Sequence, residues 1–241
     1  MEVYIMKSNK SNVTFMLVVL GIIVAILASL AFLTKHEEKQ VASKLPTTKE
    51  YENAYKGEVK DFDYENQPVI GEKDAPVKIV EFGDFKCPSC AMWEKTVFPQ
   101  IYTDYVHTGK VQFYFINWQF LDVDSVLAGV AGEALYHQNP DAFWQFYSKI
   151  YENQGPESKK WATEKFLLGF VKDNITGIDY KQFEKDLKER KYMDLVRKDF
   201  LIGQKYGVGG TPAIYVNGKQ VKDNSYEEIR NAIENAMGEK K

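Results

Sequence analysis

The stretch APVKIVEFGDFKCPSC, Ala75 to Cys90, decides the fold. Val77 to Phe82 has the β-branched and aromatic content of a buried central strand, and Gly83 to Lys86 makes a loop. Cys87 and Pro88 then open a helix. A strand, a turn and a helix that starts on a cysteine form the unit from which the rest of the chain is read.

Downstream, Cys90, Trp93, Val97 and Ile101 recur at steps of three and four and mark the helix face that packs on a sheet, with a kink expected at Pro99. Thr108-Gly109 ends the helix, and Val111 to Asn117 (VQFYFIN) is a second apolar strand, parallel to the first. Between Asp122 and Gly207 strand signals almost vanish. Helices are predicted there at Ser125 to His137, Asp141 to Glu152, Ala162 to Asp173, Tyr180 to Arg190 and Tyr192 to Tyr206. The sheet resumes at Ala213 to Val216, where Asn217-Gly218 signals a type I′ hairpin into Lys219 to Val221. A last helix covers about Tyr226 to Met237. The order βαβ, helical insert, ββα is an α/β thioredoxin frame opened by a large helical insertion at about 122–207.

Upstream, a short extended piece is predicted around Gln67 to Ile70, and the ordered domain is expected to span 62–241. Residues 35–61 are polar and charged with little periodicity and read as a tether of loose structure. Before them, Val13 to Leu33 is a run of 21 residues without a charge, long enough as a helix to cross a bilayer core of roughly 30 Å. Residues 13–34 are therefore read as a transmembrane anchor. Lys7 and Lys10 precede it, and the residues that follow are mixed in sign, so 1–12 are placed in the cytoplasm and the folded part outside. A cleaved signal peptide is the competing reading, but its apolar region is usually only about 7 to 15 residues. A lipoprotein would need a cysteine just after the apolar run, and the first is Cys87.

The chain has 241 residues, 44% hydrophobic and 14% aromatic, enough for one sizeable core. Its formal net charge of −3 carries no block of like charges, which argues against a nucleic-acid surface. Exported proteins often use cysteines as staples, yet the two here are only two residues apart. Stapling distant parts of a fold is a poor explanation for them.

Reactivity is a better one. At the start of a helix, unpaired amide hydrogens and the helix dipole favour the thiolate of Cys87, the form that attacks and leaves in disulfide exchange. Cys90, one turn further in, is placed to resolve the mixed disulfide. Half of a zinc site would look the same, but a closed site wants four ligands, and only His36, His107 and His137 remain. Neither metal nor cofactor is assigned, and the redox group is the Cys87-Cys90 pair itself.

The run Ala75 to Cys90 and the loop Gly210-Thr211-Pro212-Ala213 together resemble the DsbA family of thiol-disulfide oxidoreductases. With the anchor and the insert, the region from about Phe62 onward resembles its Gram-positive, BdbD-type branch. The resemblance implies that Cys87 is the nucleophile and Cys90 the resolving cysteine. It implies that Pro212 is a cis-proline facing the two sulfurs, and that the Thr211 backbone pairs with an extended substrate peptide. It also implies a buried acid six positions before the first cysteine, here Glu81, whose raised pKa suits it to relay a proton to or from Cys90. Ser89 departs from relatives that carry histidine between the cysteines. Asp84 and Lys86 are expected to tune local charge. Phe85, Trp93, Trp118 and Phe120 are candidates for the rim of a peptide site, although most aromatics of such a chain belong to the core.

The expected function is a membrane-anchored, extracytoplasmic oxidoreductase, monomeric, that introduces disulfides into reduced exported proteins. A quinone-linked, DsbB-like membrane partner would reoxidise it. The motif equally allows the reverse flow, a reductase of extracytoplasmic thiols, for example in cytochrome maturation. A non-catalytic peptide-binding module is the alternative from a different class.

Overall fold

The structure, a computed structural model, describes residues 10–238, so most of the expected cytoplasmic segment 1–12 lies outside the described residues. The chain divides into two units between Lys44 and Leu45. The first is a single helix, α1 (Lys10–Ser43), in which Val13–His36 is long and apolar enough to cross a membrane and keeps its large apolar side chains exposed. The helix runs past residue 34 because Glu37, Glu38, Lys39 and Gln40 are all good helix formers. The first residue that cannot continue it is Pro46, which also disfavours helix in the residue before it.

The second unit begins at Leu45, not near residue 62, which corrects the reading of 35–61 as a loose tether. Leu45 and Tyr51 are buried, and α2 (Thr48–Ala54) opens on a capping box. The Thr47 hydroxyl accepts from the Glu50 amide at 3.1 Å, and the Glu50 carboxylate accepts from the Thr47 amide at 2.7 Å. Gln119 Nε2 donates to the Tyr51 hydroxyl at 2.7 Å. Polar composition conceals one short helix held by a cap and a single aromatic anchor. Thr47→Ala should therefore lower the unfolding free energy by about 1 kcal/mol, and Thr47→Asp should retain most of it. Urea midpoints of the two variants check this.

The sheet comprises β1 (Val69–Ile70), β2 (Val77–Gly83), β3 (Val111–Asn117), β4 (Ala213–Val216) and β5 (Lys219–Gln220), in the order β1-β3-β2-β4-β5. β2 and β3 are parallel, with Val77 opposite Val111 and Gly83 opposite Asn117, while the other pairs are antiparallel. β2 is central and covered on both faces, which is why its apolar run barely alternates. Val77, Ile79, Phe113 and Phe115 enter the larger core, whereas Val80, Phe82, Tyr114 and Ile116 enter a second one with Phe62, Trp118 and Tyr215. Glu81 shares the two-residue period of Val77 and Ile79 and so lies on the larger-core face.

The helix after β2 is broken where Pro99 was expected to bend it. It is formed by α3 (Pro88–Thr96), α4 (Phe98–Ile101) and a π-helical turn, Tyr102–Val106. The insertion contains α5 (Val123–Tyr136), α6 (Pro140–Glu152), α7 (Glu164–Asn174), α8 (Tyr180–Lys188) and α9 (Met193–Lys205), all within two residues of the expected bounds. Asp122, Asn139, Thr163 and Asp179 cap four of them by accepting from first-turn amides. Asn217 and Gly218 turn the β4–β5 hairpin at φ 44° and 82°, the left-handed pair a type I′ turn requires. α10 (Tyr226–Gly238) follows.

Candidate active site

The loop between β2 and α3 is built from the inside. The Asp84 carboxylate accepts from the amides of Lys86 at 2.8 Å, Phe120 at 3.1 Å and Leu121 at 3.3 Å, and its carbonyl accepts from the Cys87 amide at 2.9 Å. Lys86 Nζ donates to Asp124 Oδ1 at 2.7 Å. Asp84 and Lys86 are each only 1% exposed, so they lock the loop rather than tune charge at a wet surface. Burial pushes the Asp84 carboxyl up to about 6 despite its amide donors. From the insertion, Gln154 Nε2 donates to the carbonyls of Phe85 at 2.8 Å and Cys87 at 3.0 Å, which ties the far side of the loop to the end of α6.

This scaffold sets Cys87 as the N-cap of α3, with Pro88 at the first helical position. Cys87 is 6% exposed and less open than a helix start implied, whereas Pro88 and Ser89 beside it are exposed and Cys90 is fully buried. Both thiols are free. The Cys90 thiol hydrogen-bonds the Cys87 sulfur and, more than any other cause, brings Cys87 down to about 6 against the opposing effect of burial. Thr211 and the amides of Cys90 and Ser89 act in the same direction. Cys90 is pushed well up, first by burial, then by that same hydrogen bond and by the charge of Glu81. One sulfur is thus an anion near neutrality while its neighbour keeps its proton.

Across from the sulfurs runs the Thr211-Pro212 segment, whose peptide bond is cis. Cys87 Sγ lies 3.4 Å from the Thr211 carbonyl oxygen. The Thr211 hydroxyl is buried without another partner among the described residues and helps lower both cysteines. Asn224 Nδ2 donates to the Pro212 carbonyl at 2.6 Å, and Trp93 Nε1 donates to the Asn224 carbonyl at 2.9 Å, so α3 and this segment are held through one asparagine.

Behind Cys90, Glu81 is fully buried. The Tyr147 hydroxyl donates to its Oε2 at 2.6 Å, and Oε1 has no partner among the described residues. Burial raises the Glu81 carboxyl to about 8; the Tyr147 hydrogen bond opposes this, and the charges of Glu94 and Cys87 add to it. Tyr151, one turn along α6, is also buried, with a hydroxyl that has no partner among the described residues.

Of the remaining candidates, Trp93 joins this arrangement through its hydrogen bond to Asn224. Phe85, Trp93 and Trp118 are core residues, and Phe120 is 44% exposed. His107 stacks on Tyr102, and His137 stacks on Tyr192 with Nε2 3.8 Å from Glu133. Among the described residues no three His, Cys, Asp or Glu side chains converge as a metal site. Glu133 and Asp199 form a buried carboxyl pair, both raised by burial, to which Asn117 and Gln67 supply hydrogen bonds. Sequence reasoning missed Tyr147, Gln154 and Asn224. All three reach the site from distant elements, and only Tyr147, on the apolar stripe of α6, carried any local signal.

Residues 63–235 match the thioredoxin family. The chain is 45% identical over 176 residues to a probable disulfide bond formation protein D of Bacillus anthracis, covering 73% of this chain and 81% of that one. It is 39% identical over 172 residues to disulfide bond formation protein D of Bacillus subtilis strain 168, covering 71% and 77%. The crystal structure of oxidised BdbD from Bacillus subtilis superimposes with a TM-score of 0.70 at 37% identity, covering 74% of this chain and 96% of that one.

Proposed function

Because the chain belongs to the thioredoxin family, and within it to the protein-disulfide oxidoreductases named disulfide bond formation protein D, we propose that it oxidises exported proteins from the outer face of a membrane. In this reading α1 is the anchor, the Cys87-Cys90 disulfide is the oxidant, and no further cofactor is needed. The observation that carries it is the pairing of a low-pKa Cys87 with a sealed Cys90 beside the Thr211-Pro212 segment.

The steps follow from that asymmetry. A substrate thiolate attacks Cys87, the Cys87–Cys90 bond breaks, and Cys90 leaves with the electron pair and takes a proton from Glu81. A second substrate thiolate then attacks the substrate sulfur of the mixed disulfide and expels Cys87 as a stable thiolate. Two substrate thiols lose two electrons, and the enzyme is left reduced. During the mixed-disulfide stage the extended substrate would lie along Thr211 and Pro212. A quinone-linked membrane protein of the DsbB kind would accept the electrons, and the anchor would keep both proteins in one plane.

Because the low pKa of Cys87 stabilises the reduced enzyme, it makes the disulfide more oxidising. The dithiol potential is expected nearer to about −120 mV than to the roughly −270 mV of a reducing thioredoxin. Above pH 6 one proton accompanies two electrons, giving a slope of about 30 mV per pH unit, and below pH 6 Cys87 takes up a second, giving about 59 mV. Equilibration with glutathione across pH measures both. A potential near −270 mV would favour the reductase.

A further inference from the structure

α2 lies upstream of residues 63–235, the part of the chain that matches the thioredoxin family, yet it reaches the dithiol loop through an unbroken series of contacts. Tyr51 and Gln119 are both buried. Gln119 Nε2 donates to the Tyr51 hydroxyl and to the Val196 carbonyl on α9, so both of its amide hydrogens are committed. The Tyr51 ring meets Phe200 edge-on at 6.2 Å, and the same Phe200 stacks on Trp118 at 5.8 Å. A Cβ on Gly203 would strike the Trp118 indole, so α9 is cut away where that ring lies. Glu50 adds an ion pair with Arg190 at 2.9 Å.

The segment 118–121 joins β3 to α5 without regular secondary structure. Beyond the Trp118 amide, which donates to the Gly83 carbonyl at 2.8 Å, side-chain contacts hold it in place. The Phe120 and Leu121 amides donate to Asp84, whose carbonyl accepts from the Cys87 amide. Without the Tyr51 hydroxyl, one Gln119 hydrogen would be buried with no acceptor. Relieving that requires Gln119 to move, and the two amides that follow it in the chain move with it. We propose that α2 is a positioning element of the dithiol site: Tyr51, acting through Gln119, holds the segment 118–121 against Asp84 and so sets the reactivity of Cys87. The inference rests on the reading of Cys87 as the reactive thiolate.

Tyr51 touches no reacting atom, and Asp84 is where packing becomes chemistry. The Phe120 and Leu121 amides are among the groups that oppose burial at the Asp84 carboxyl, and the Asp84 carbonyl fixes the Cys87 amide at the start of α3. With the segment displaced, the turn 84–87 loosens. The Cys87 sulfur is then held less closely to the Cys90 thiol, to Thr211 and to the Cys90 and Ser89 amides that stabilise its anion. Cys87 should move up, and the disulfide should become less oxidising. Lys44, Leu45 and Pro46 alone separate the end of α1 from the cap of α2, so this strut starts where the folded unit begins.

The test is the pH dependence of Cys87 alkylation on the reduced full chain, in detergent, with the glutathione equilibrium at pH 7 as a second readout. Tyr51→Phe removes one oxygen and leaves the ring against Phe200. It should raise the alkylation midpoint so that the thiolate fraction at pH 5 falls about threefold, and should shift the glutathione equilibrium towards the disulfide by a similar factor. Gln119→Met should do at least as much. The double variant should match Gln119→Met alone, because the hydroxyl acts through that side chain. Leu187→Val, a core truncation in α8, should lower the urea midpoint without moving Cys87, which separates positioning from loss of stability.

A wild-type alkylation midpoint or glutathione equilibrium in either single variant would overturn the inference, as would a double variant whose shift is the sum of the two. A shift of the same size in Leu187→Val would overturn it as well, since the midpoint would then follow stability alone. If the wild type itself shows no depressed midpoint, the reading of Cys87 fails and this inference with it. A wild-type midpoint near 6 that neither variant moves sinks the inference and leaves the reading of Cys87 standing.

Discussion

Cys87→Ser is expected to reduce oxidative refolding of a reduced substrate to the uncatalysed rate, whereas Cys90→Ala should leave a single thiol that still reacts. Serine cannot form the disulfide, and its hydroxyl is no leaving group for exchange. Cys90 cannot stand in, because it is fully buried and its thiol is held well above the usual range. In Cys90→Ala the sign of the change is set by the hydrogen bond that is lost. The Cys90 thiol is the largest cause lowering Cys87, so its removal should move Cys87 up from about 6, while Cys90→Ser keeps a donor and should shift it less. Alkylation rate against pH, followed on the reduced full chain, reads these values directly. Reactivity of Cys87 should fall as pH drops through about 6 in the wild type and through a higher value in Cys90→Ala. Full refolding activity in Cys87→Ser would instead support a binding module that needs no dithiol.

The frame of this protein was legible because its strands are buried on both faces. VKIVEF and VQFYFIN need no tertiary information to be read as central strands, and the helices of the insertion announce themselves by their spacing and by Asp122, Asn139, Thr163 and Asp179 at their starts. The dithiol was legible for a related reason, since both sulfurs and the helix that tunes Cys87 are contiguous in the chain. Glu81 could be recognised as an anomaly, a carboxyl in an apolar strand, and its burial follows from the same two-residue period as Val77 and Ile79. What escaped was everything that depends on burial of a charged or polar side chain by distant elements. Asp84 and Lys86 look like surface charges in sequence, and only Phe120, Leu121 and Asp124, folded over them, turn them into interior struts. Gln154 and Asn224 look like ordinary loop residues, yet each holds a carbonyl of the active-site backbone. Residues 45–61 failed for a different reason. A Thr-x-x-Glu box is present from Thr47 to Glu50, but polar composition outweighs it, and Tyr51 supplies its helix with only one buried anchor.

The largest stability effect is expected from the ion pair under the dithiol. Lys86 and Asp124 are essentially inaccessible and meet at 2.7 Å, and Asp124 Oδ2 also accepts from the Ala162 amide at 3.1 Å. Asp124→Ala would leave an ammonium in the core without its carboxylate and should destabilise the folded unit by about 3–5 kcal/mol. Lys86→Met should cost less, because Asp124 keeps the hydrogen bond from the Ala162 amide. The double variant Lys86→Met, Asp124→Leu removes both charges at similar volume and should recover most of the loss, as replacement of buried pairs by apolar groups often does. Urea midpoints of the reduced full chain order the three variants. A cost below about 1 kcal/mol for Asp124→Ala would mean that the pair contributes no more than a surface bridge. The same variants separate stability from chemistry. The Lys86 side chain points to α5 while its amide is fixed by Asp84, so the apolar double variant should keep Cys87 at the N-cap and its pKa near 6 even though a cation beside it in sequence is gone. If that pKa rises instead, the lysine acts on the thiolate through space and the helix start is not sufficient to hold it.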